Sequence, residues 1–138
     1  MYNPVAITAS TTLSRKKHAG TTTVLNAAAG LTVTLPASAG NGDEYTVFVG
    51  TTVTSNSYVV QVANSTDIIQ GAIHLTTDIA GTSMPTSSTT DTITMNGSTT
   101  GGVKGSWLRL TDVASGVWEL AGAMICTGTE ATPFSAAV

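Results

Sequence analysis

Short stretches in which apolar and polar residues alternate recur along the chain. Residues 31–35 (LTVTL) place three aliphatic side chains between two threonines, and residues 91–95 (DTITM) repeat the pattern. A period of two puts alternate side chains on opposite faces of a β-strand. Both segments therefore predict strands with one apolar and one polar face.

Residues 44–49 (EYTVFV) predict a central strand, because Tyr45 shares one face with two valines while Phe48 lies on the other. Such a strand is expected to be covered on both sides. The segments 21–25, 58–62 and 68–75 predict further strands, each bounded by Gly, Asn or Ser. Gly71 within the last of these predicts a bulge or a close approach of the backbone.

The strongest local signal lies at residues 106–125, where two apolar runs flank a predicted three-residue loop at 114–116 that ends in glycine. This spacing predicts a β-hairpin in which Leu110 lies opposite Leu120. We expect Trp107 and Trp118, one in each strand, to anchor the core.

The patterns predict one all-β domain of about eight short strands, an antiparallel β-sandwich or a small β-barrel at residues 15–130. Residues 1–14 are expected to form an extended N-terminal arm, and residues 131–138 a C-terminal tail, since neither segment has strong strand patterning. Residues 81–102 are interpreted as loop apart from the strand at 91–95. No repeat of 20 to 50 residues is visible, so the sequence does not predict a solenoid or propeller.

The composition excludes several classes of partner and site. Only 9% of the residues are charged and the net charge is −3, which gives no basic surface for nucleic acid or for an anionic membrane. No apolar run approaches the roughly 20 residues of a membrane-spanning helix, and we expect no signal peptide. One cysteine, Cys126, excludes a disulfide within the chain.

Catalytic chemistry is not predicted. Asp43 and Glu44 are adjacent, and neighbours along a strand point to opposite faces, so they are not expected to act as an acid and base pair. His18, His74 and Cys126 lack metal-ligand spacing. We therefore expect no enzyme activity, no metal and no cofactor.

A protein interface is the remaining candidate site. The basic run at residues 15–17 predicts either a solvated start of a strand or a contact with an acidic protein. Tyr2, Tyr58 and Phe134 are expected to be exposed, and although they do not form a stacking set, one could anchor an interface. The candidate partner interface comprises Tyr2, Pro4, Arg15, Lys16, Lys17 and Phe134.

Residues 15–64 and 91–138 resemble small structural proteins of tailed bacteriophages, and the element LNAAAGLTVTLPA at 25–37 is the most distinctive piece. The chain is similar in particular to head decoration (cement) proteins and to parts of fibres, which are usually trimers. The resemblance implies a virion protein that binds the outer surface of the major capsid protein shell and stabilises it. No catalytic residue is implied.

Threonine-rich strands with few charges would leave sheet edges open to aggregation, and a homotrimer would cap them. Three modest contacts per trimer would then hold a shell by multivalency. The contacts are expected at the N-terminal arm through Lys17 and at one rim of loops, so removing residues 1–14 should abolish shell binding without unfolding. A component or a receptor- or glycan-binding module of a head or tail fibre is the alternative.

Overall fold

The strands belong to two β-sheets, as described for residues 3–138 by a computed structural model. In chain-order numbering, the larger sheet has the order β1 (Val5–Ile7), β3 (Thr22–Leu25), β5 (Glu44–Val49), β10 (Trp107–Ala114), β11 (Val117–Ile125), β7 (Ile68–Thr76) and β8 (Gly81–Pro85). The smaller sheet has the order β12 (Phe134–Ser135), β9 (Thr92–Met95), β6 (Tyr58–Gln61), β4 (Leu31–Thr34) and β2 (Thr11–Thr12). A one-turn helix, α1 (Arg15–His18), follows β2. The prediction of an all-β chain is confirmed.

Both sheets are mixed, so the predicted antiparallel arrangement is wrong, and neither sheet closes into a barrel. Strands β1, β3 and β5 are parallel to one another, as are β2, β4 and β6, and β11 is parallel to β7. The pairs β5–β10, β10–β11, β7–β8, β6–β9 and β9–β12 are antiparallel. Alternation in sequence fixes which face of a strand is apolar, and it is the same in both kinds of sheet.

The first six strands form a coil that passes from one sheet to the other and back. Each odd-numbered strand joins the larger sheet and each even-numbered strand the smaller one. Val5 lies opposite Thr23, 18 positions later, whereas Leu31 lies opposite Tyr58, 27 positions later. Because the length of a turn changes along the coil, the sequence has no fixed repeat, and the coil was not predicted.

The apolar faces of both sheets contribute to a single cluster of buried side chains. The alternation in β5 is confirmed, since Tyr45, Val47 and Val49 are buried while Phe48 is only half-buried. The ring of Tyr45 meets that of Trp118 edge to face, with centroids 5.7 Å apart. This geometry is favourable for aromatic pairs.

Tyr58 is fully buried, so the expectation that it is exposed is wrong. Its hydroxyl donates to the carbonyl of Thr51 at 2.7 Å and accepts from the backbone N–H of Ala27 at 3.0 Å. The side chain therefore joins two loops, and its polar end is satisfied inside the core.

The predicted hairpin is present as β10 and β11, with Leu110 opposite Leu120. The pairing shifts between Asp112 and Ala114, and Ala114 lies opposite Val117, so the loop has two residues and not three. The extra residue before the turn is accommodated as a β-bulge, which is common next to hairpin loops.

Residues 3–14, predicted as part of an arm ahead of the sheet, contribute an edge strand to each sheet. Strand β1 pairs with β3 and β2 pairs with β4, while Ile7 and Leu13 are buried in the core. Two other local predictions also differ from the structure. Residues 81–85 form β8 where loop was expected, and residues 15–17 lie in α1 and do not begin a strand.

The C-terminal tail is held by Asp91. Its Oδ1 accepts the backbone N–H of Ala137 at 2.8 Å and of Val138 at 3.3 Å, and the hydroxyl of Thr92 at 2.6 Å. Burial acts to raise the pKa of Asp91, but these three hydrogen bonds favour the carboxylate and bring its pKa below the ordinary value.

Within residues 3–138, helices are too short and too polar to cross a membrane.

Candidate interaction surface

One row of side chains crosses all seven strands of the larger sheet on the face that points away from the core. Its members are register partners from strand to strand, and five of the seven are apolar. The row consists of Ala6, Val24, Phe48, Trp107, Ala123, His74 and Ser83.

Exposed apolar side chains gather at one end of this face. Trp107 is 37% exposed, Ile125 on the neighbouring strand is 38% exposed, and Ile79 is 92% exposed. Ile125 is the register partner of Thr76, the last residue of β7, and Ile79 lies in the turn that follows β7. We call Phe48, Trp107, Ile125 and Ile79 the apolar rim.

The local sequence explains why the tryptophan of the rim faces outward. In β10, Leu108 and Leu110 point into the core, so Trp107 shares the outer face with Arg109. The prediction that this tryptophan anchors the core is wrong for that reason, whereas Trp118 is 1% exposed as expected. The outward position of Trp107 could have been inferred from its parity with the charged arginine.

A cleft of about 720 Å³ opens beside the rim, between residues 76–80 and residues 125–130. The first wall is a tight turn, closed by a hydrogen bond from the N–H of Thr77 to the carbonyl of Ala80 at 2.8 Å. The second wall is tied to the first, because the N–H of Cys126 donates to the carbonyl of Thr76 at 2.7 Å. Both walls are therefore set by backbone hydrogen bonds.

The chemistry of the cleft is apolar with two acidic groups. Its lining includes Ile79 and Ile125 of the rim together with Asp78 and Glu130, and no lysine, arginine or histidine. Within residues 3–138, neither carboxylate forms an ion pair. Cys126 also lines the cleft but is 3% exposed, and burial raises the pKa of its thiol, which keeps it neutral.

The interface residues predicted from the sequence lie at different places in the fold. Pro4 is exposed just before β1, and the carbonyl of the preceding residue accepts a hydrogen bond from Thr21, close to α1. Phe134 is half-buried in β12, at the opposite edge of the smaller sheet from β2. Tyr2 lies outside the described residues. The three basic residues of the set, Arg15, Lys16 and Lys17, are exposed on α1.

The adjacent acids Asp43 and Glu44 each contact a different cation. Arg15 Nε lies 3.1 Å from Asp43 Oδ1, and Arg109 Nε lies 3.9 Å from Glu44 Oε2. The two carboxylates therefore point to different neighbours, as expected for consecutive positions at the start of a strand.

The side chain of His18 stabilises the start of α1. It is buried, and Nδ1 accepts the backbone N–H of Ser14 at 3.0 Å. Burial, and then the positive charge of Lys17, lower the pKa of this imidazole. The neutral form is therefore favoured at neutral pH.

Two buried carboxylates accept hydrogen bonds from the backbone of the loop before β5. Asp112 accepts the N–H of Ala39 at 2.9 Å and of Gly40 at 2.7 Å, and Asp67 accepts the N–H of Ser38 at 2.9 Å. In the part of the chain that the structure describes, no group of three or more His, Cys, Asp or Glu is arranged to hold a metal ion.

Sequence reasoning missed most of the apolar rim. Ile79 is an isolated aliphatic residue in a polar run, TTDIAG, and Ile125 shares its parity with two outward alanines of β11. These two features of the sequence indicate outward side chains. That Ile79 and Ile125 lie close together depends on the parallel pairing of β7 with β11. No protein-family model, curated protein or solved structure matches the chain.

Proposed function

We propose that the protein is a virion structural protein, a decoration protein that binds the outer surface of a shell of major capsid protein and stabilises it. The observation that carries this proposal is the apolar rim. Within residues 3–138, three of the five most exposed large apolar side chains, Trp107, Ile125 and Ile79, lie together at one end of one sheet. Tryptophan in particular is enriched among residues that dominate the energy of protein interfaces.

The resemblance of residues 15–64 and 91–138 to phage structural proteins supports the same proposal. In this proposal the two sheets stack as the layers of a sandwich, and three copies form a homotrimer that presents three apolar rims to the shell. Each contact after the first is intramolecular, so modest contacts combine into stable attachment.

The N-terminal segment has a different role in this proposal from the one expected from sequence. Because Ile7 and Leu13 are buried, deletion of residues 1–14 would remove core side chains and two edge strands. Loss of binding in such a deletion would therefore follow from unfolding. Substitutions on the surface are the appropriate test.

The first experiment compares the native mass of the purified protein, by light scattering on a sizing column, with the 13.9 kDa chain. A mass of three chains supports the trimer. A monomer at micromolar concentration would contradict the multivalent mechanism.

The second experiment measures co-sedimentation with empty shells assembled from the major capsid protein of the genome that encodes this chain. The wild type and Val113→Ser are expected to bind, while Trp107→Ser is expected to bind at least tenfold more weakly, as for a central interface tryptophan. Val113 is a matched control because it is 47% exposed on the same strand but at its far end. Failure of the wild type to bind the shells, with binding to host cells instead, would favour a fibre module.

A further inference from the structure

The cleft beside the apolar rim carries two carboxylates that form no ion pair within residues 3–138. Asp78 is exposed in the turn after β7, and Glu130 lies on the opposite wall. One oxygen of Glu130, Oε1, is buried without a hydrogen-bond partner in residues 3–138. Buried polar atoms in proteins are usually satisfied, so an unpartnered carboxylate oxygen calls for an explanation.

We infer that this cleft receives a lysine or arginine side chain carried by an extended apolar segment of the shell protein. The inference rests on the proposed function and names the chemistry of its partner. It concerns the cleft walls, which are distinct from the position of Trp107 tested above.

The lining of the cleft matches the two parts of such a side chain. The aliphatic stem of a lysine or arginine packs on apolar surface while its charged head stays close to polar groups. Ile79 and Ile125 offer the apolar surface, and Asp78 and Glu130 offer the carboxylates. The cleft volume of about 720 Å³ is within the range of pockets that hold ligands larger than one side chain, so flanking residues of the segment also fit.

Charge complementarity favours a cationic occupant, and this chain has few cations of its own. The described chain has only five lysines and arginines, and Arg15 and Arg109 already face Asp43 and Glu44. Lys16, Lys17 and Lys104 are exposed and form no ion pair within residues 3–138. A second copy that supplies one of these lysines is therefore the alternative occupant, and the native-mass readout below tests it.

The experiment measures shell binding of the full chain at low and high salt. The double variant Asp78→Asn with Glu130→Gln removes both cleft charges at nearly constant volume. It is expected to bind about tenfold more weakly than the wild type at low salt. Its affinity should also depend less on salt, because exposed charge pairs are screened as ionic strength rises.

The matched control is Glu119→Gln, which removes one carboxylate from the outer face of β11 away from the cleft. This control is expected to bind as the wild type does. Urea unfolding of each variant verifies that the fold is retained.

The outcomes separate the inference from the proposed function. If the wild type binds shells and the double variant binds equally well, the inference is wrong and the proposed function stands. If the double variant loses native mass instead of shell affinity, the cleft joins copies of this chain and the inference is wrong. If the wild type does not bind shells, the proposed function fails and the inference falls with it.

Discussion

Trp118 and Trp107 have opposite surroundings although they lie in the two strands of one hairpin. Trp118 is buried against Tyr45, whereas Trp107 belongs to the outer row and is 37% exposed. A buried aromatic contributes through the area it removes from water and through close packing. Trp107 has less of both to lose, because part of its side chain is in contact with water.

We therefore expect Trp118→Ala to lower the free energy of unfolding by about 3–5 kcal/mol. Trp107→Ala should lower it by less, about 1–2 kcal/mol, because its side chain is only partly buried. Urea denaturation followed by circular dichroism measures both, since it does not depend on tryptophan emission. Equal losses in the two variants would contradict the assignment of Trp107 to the surface.

His18 makes stability depend on pH. Its pKa in the folded protein lies below the ordinary value of 6.5, so the unfolded chain binds more protons as pH falls through 6.5. The contribution of His18 to the free energy of unfolding is then fully present above pH 6.5. It decreases as pH falls below 6.5, until the folded protein is protonated as well.

The test compares the free energy of unfolding at pH 7.5 and pH 5.5. The wild type is expected to lose at most about 1.4 kcal/mol of stability between these values, because pH 5.5 lies one unit below the pKa of the unfolded chain. His18→Asn keeps an acceptor for Ser14 but removes the titration, so its loss should be smaller. His74→Asn, which changes an exposed histidine, should behave as the wild type.

At the level of elements, the parallel pair β7–β11 depends on a glycine. A Cβ at Gly71 would collide with the carbonyl oxygen of Leu120 on the neighbouring strand. The close backbone approach expected from the sequence is confirmed. Gly116 in the β10–β11 turn also has a positive φ, of 84°, but its nearest heavy atom, the carbonyl oxygen of Thr66, is 4.0 Å away.

These two glycines provide a matched pair of variants. Gly116→Ala should cost about 1–2 kcal/mol of unfolding free energy, the usual price of a left-handed conformation for a residue with a Cβ. Gly71→Ala should cost about 1–3 kcal/mol more, because its methyl group also displaces a neighbouring strand. Denaturant unfolding distinguishes them, and similar losses would show that the sheet adjusts at Gly71.

The positions of most strands followed from sequence, but their partners did not. Alternation in segments such as 31–35 and 44–49 fixed the buried face, because a strand needs only one apolar side to join a core. Pairing is a long-range property, and it could be predicted only for the β10–β11 hairpin, whose short loop forces its strands together. The coil of β1 to β6 has no such local signal.

The edge strands are short or are marked by proline. Strands β2 and β12 have two residues each, and Pro133 precedes β12. Pro85 ends β8 and has no backbone N–H to donate to a further strand. Such features discourage the addition of another strand. A trimer is therefore not needed to cap the sheet edges. Association between copies is expected through side-chain surfaces.

At the level of the whole molecule, the candidate surface illustrates what the sequence could not convey. Phe48, Ile79, Trp107 and Ile125 come from three strands and a turn, of which only β10 and β11 are neighbours in the chain. Their outward parity could be inferred one strand at a time. Their common location follows only from the order β5–β10–β11–β7 in the larger sheet.

The coil of β1 to β6 also bears on how fast the chain folds. Each of its parallel pairs closes a loop of 18 residues or more before any contact forms, as between Val5 and Thr23. The β10–β11 hairpin needs a loop of only two residues. Folding rates fall as contacts become less local. The hairpin can therefore form early and present its two edges to β5 and β7, and the winding of the N-terminal half is expected to set the overall refolding time.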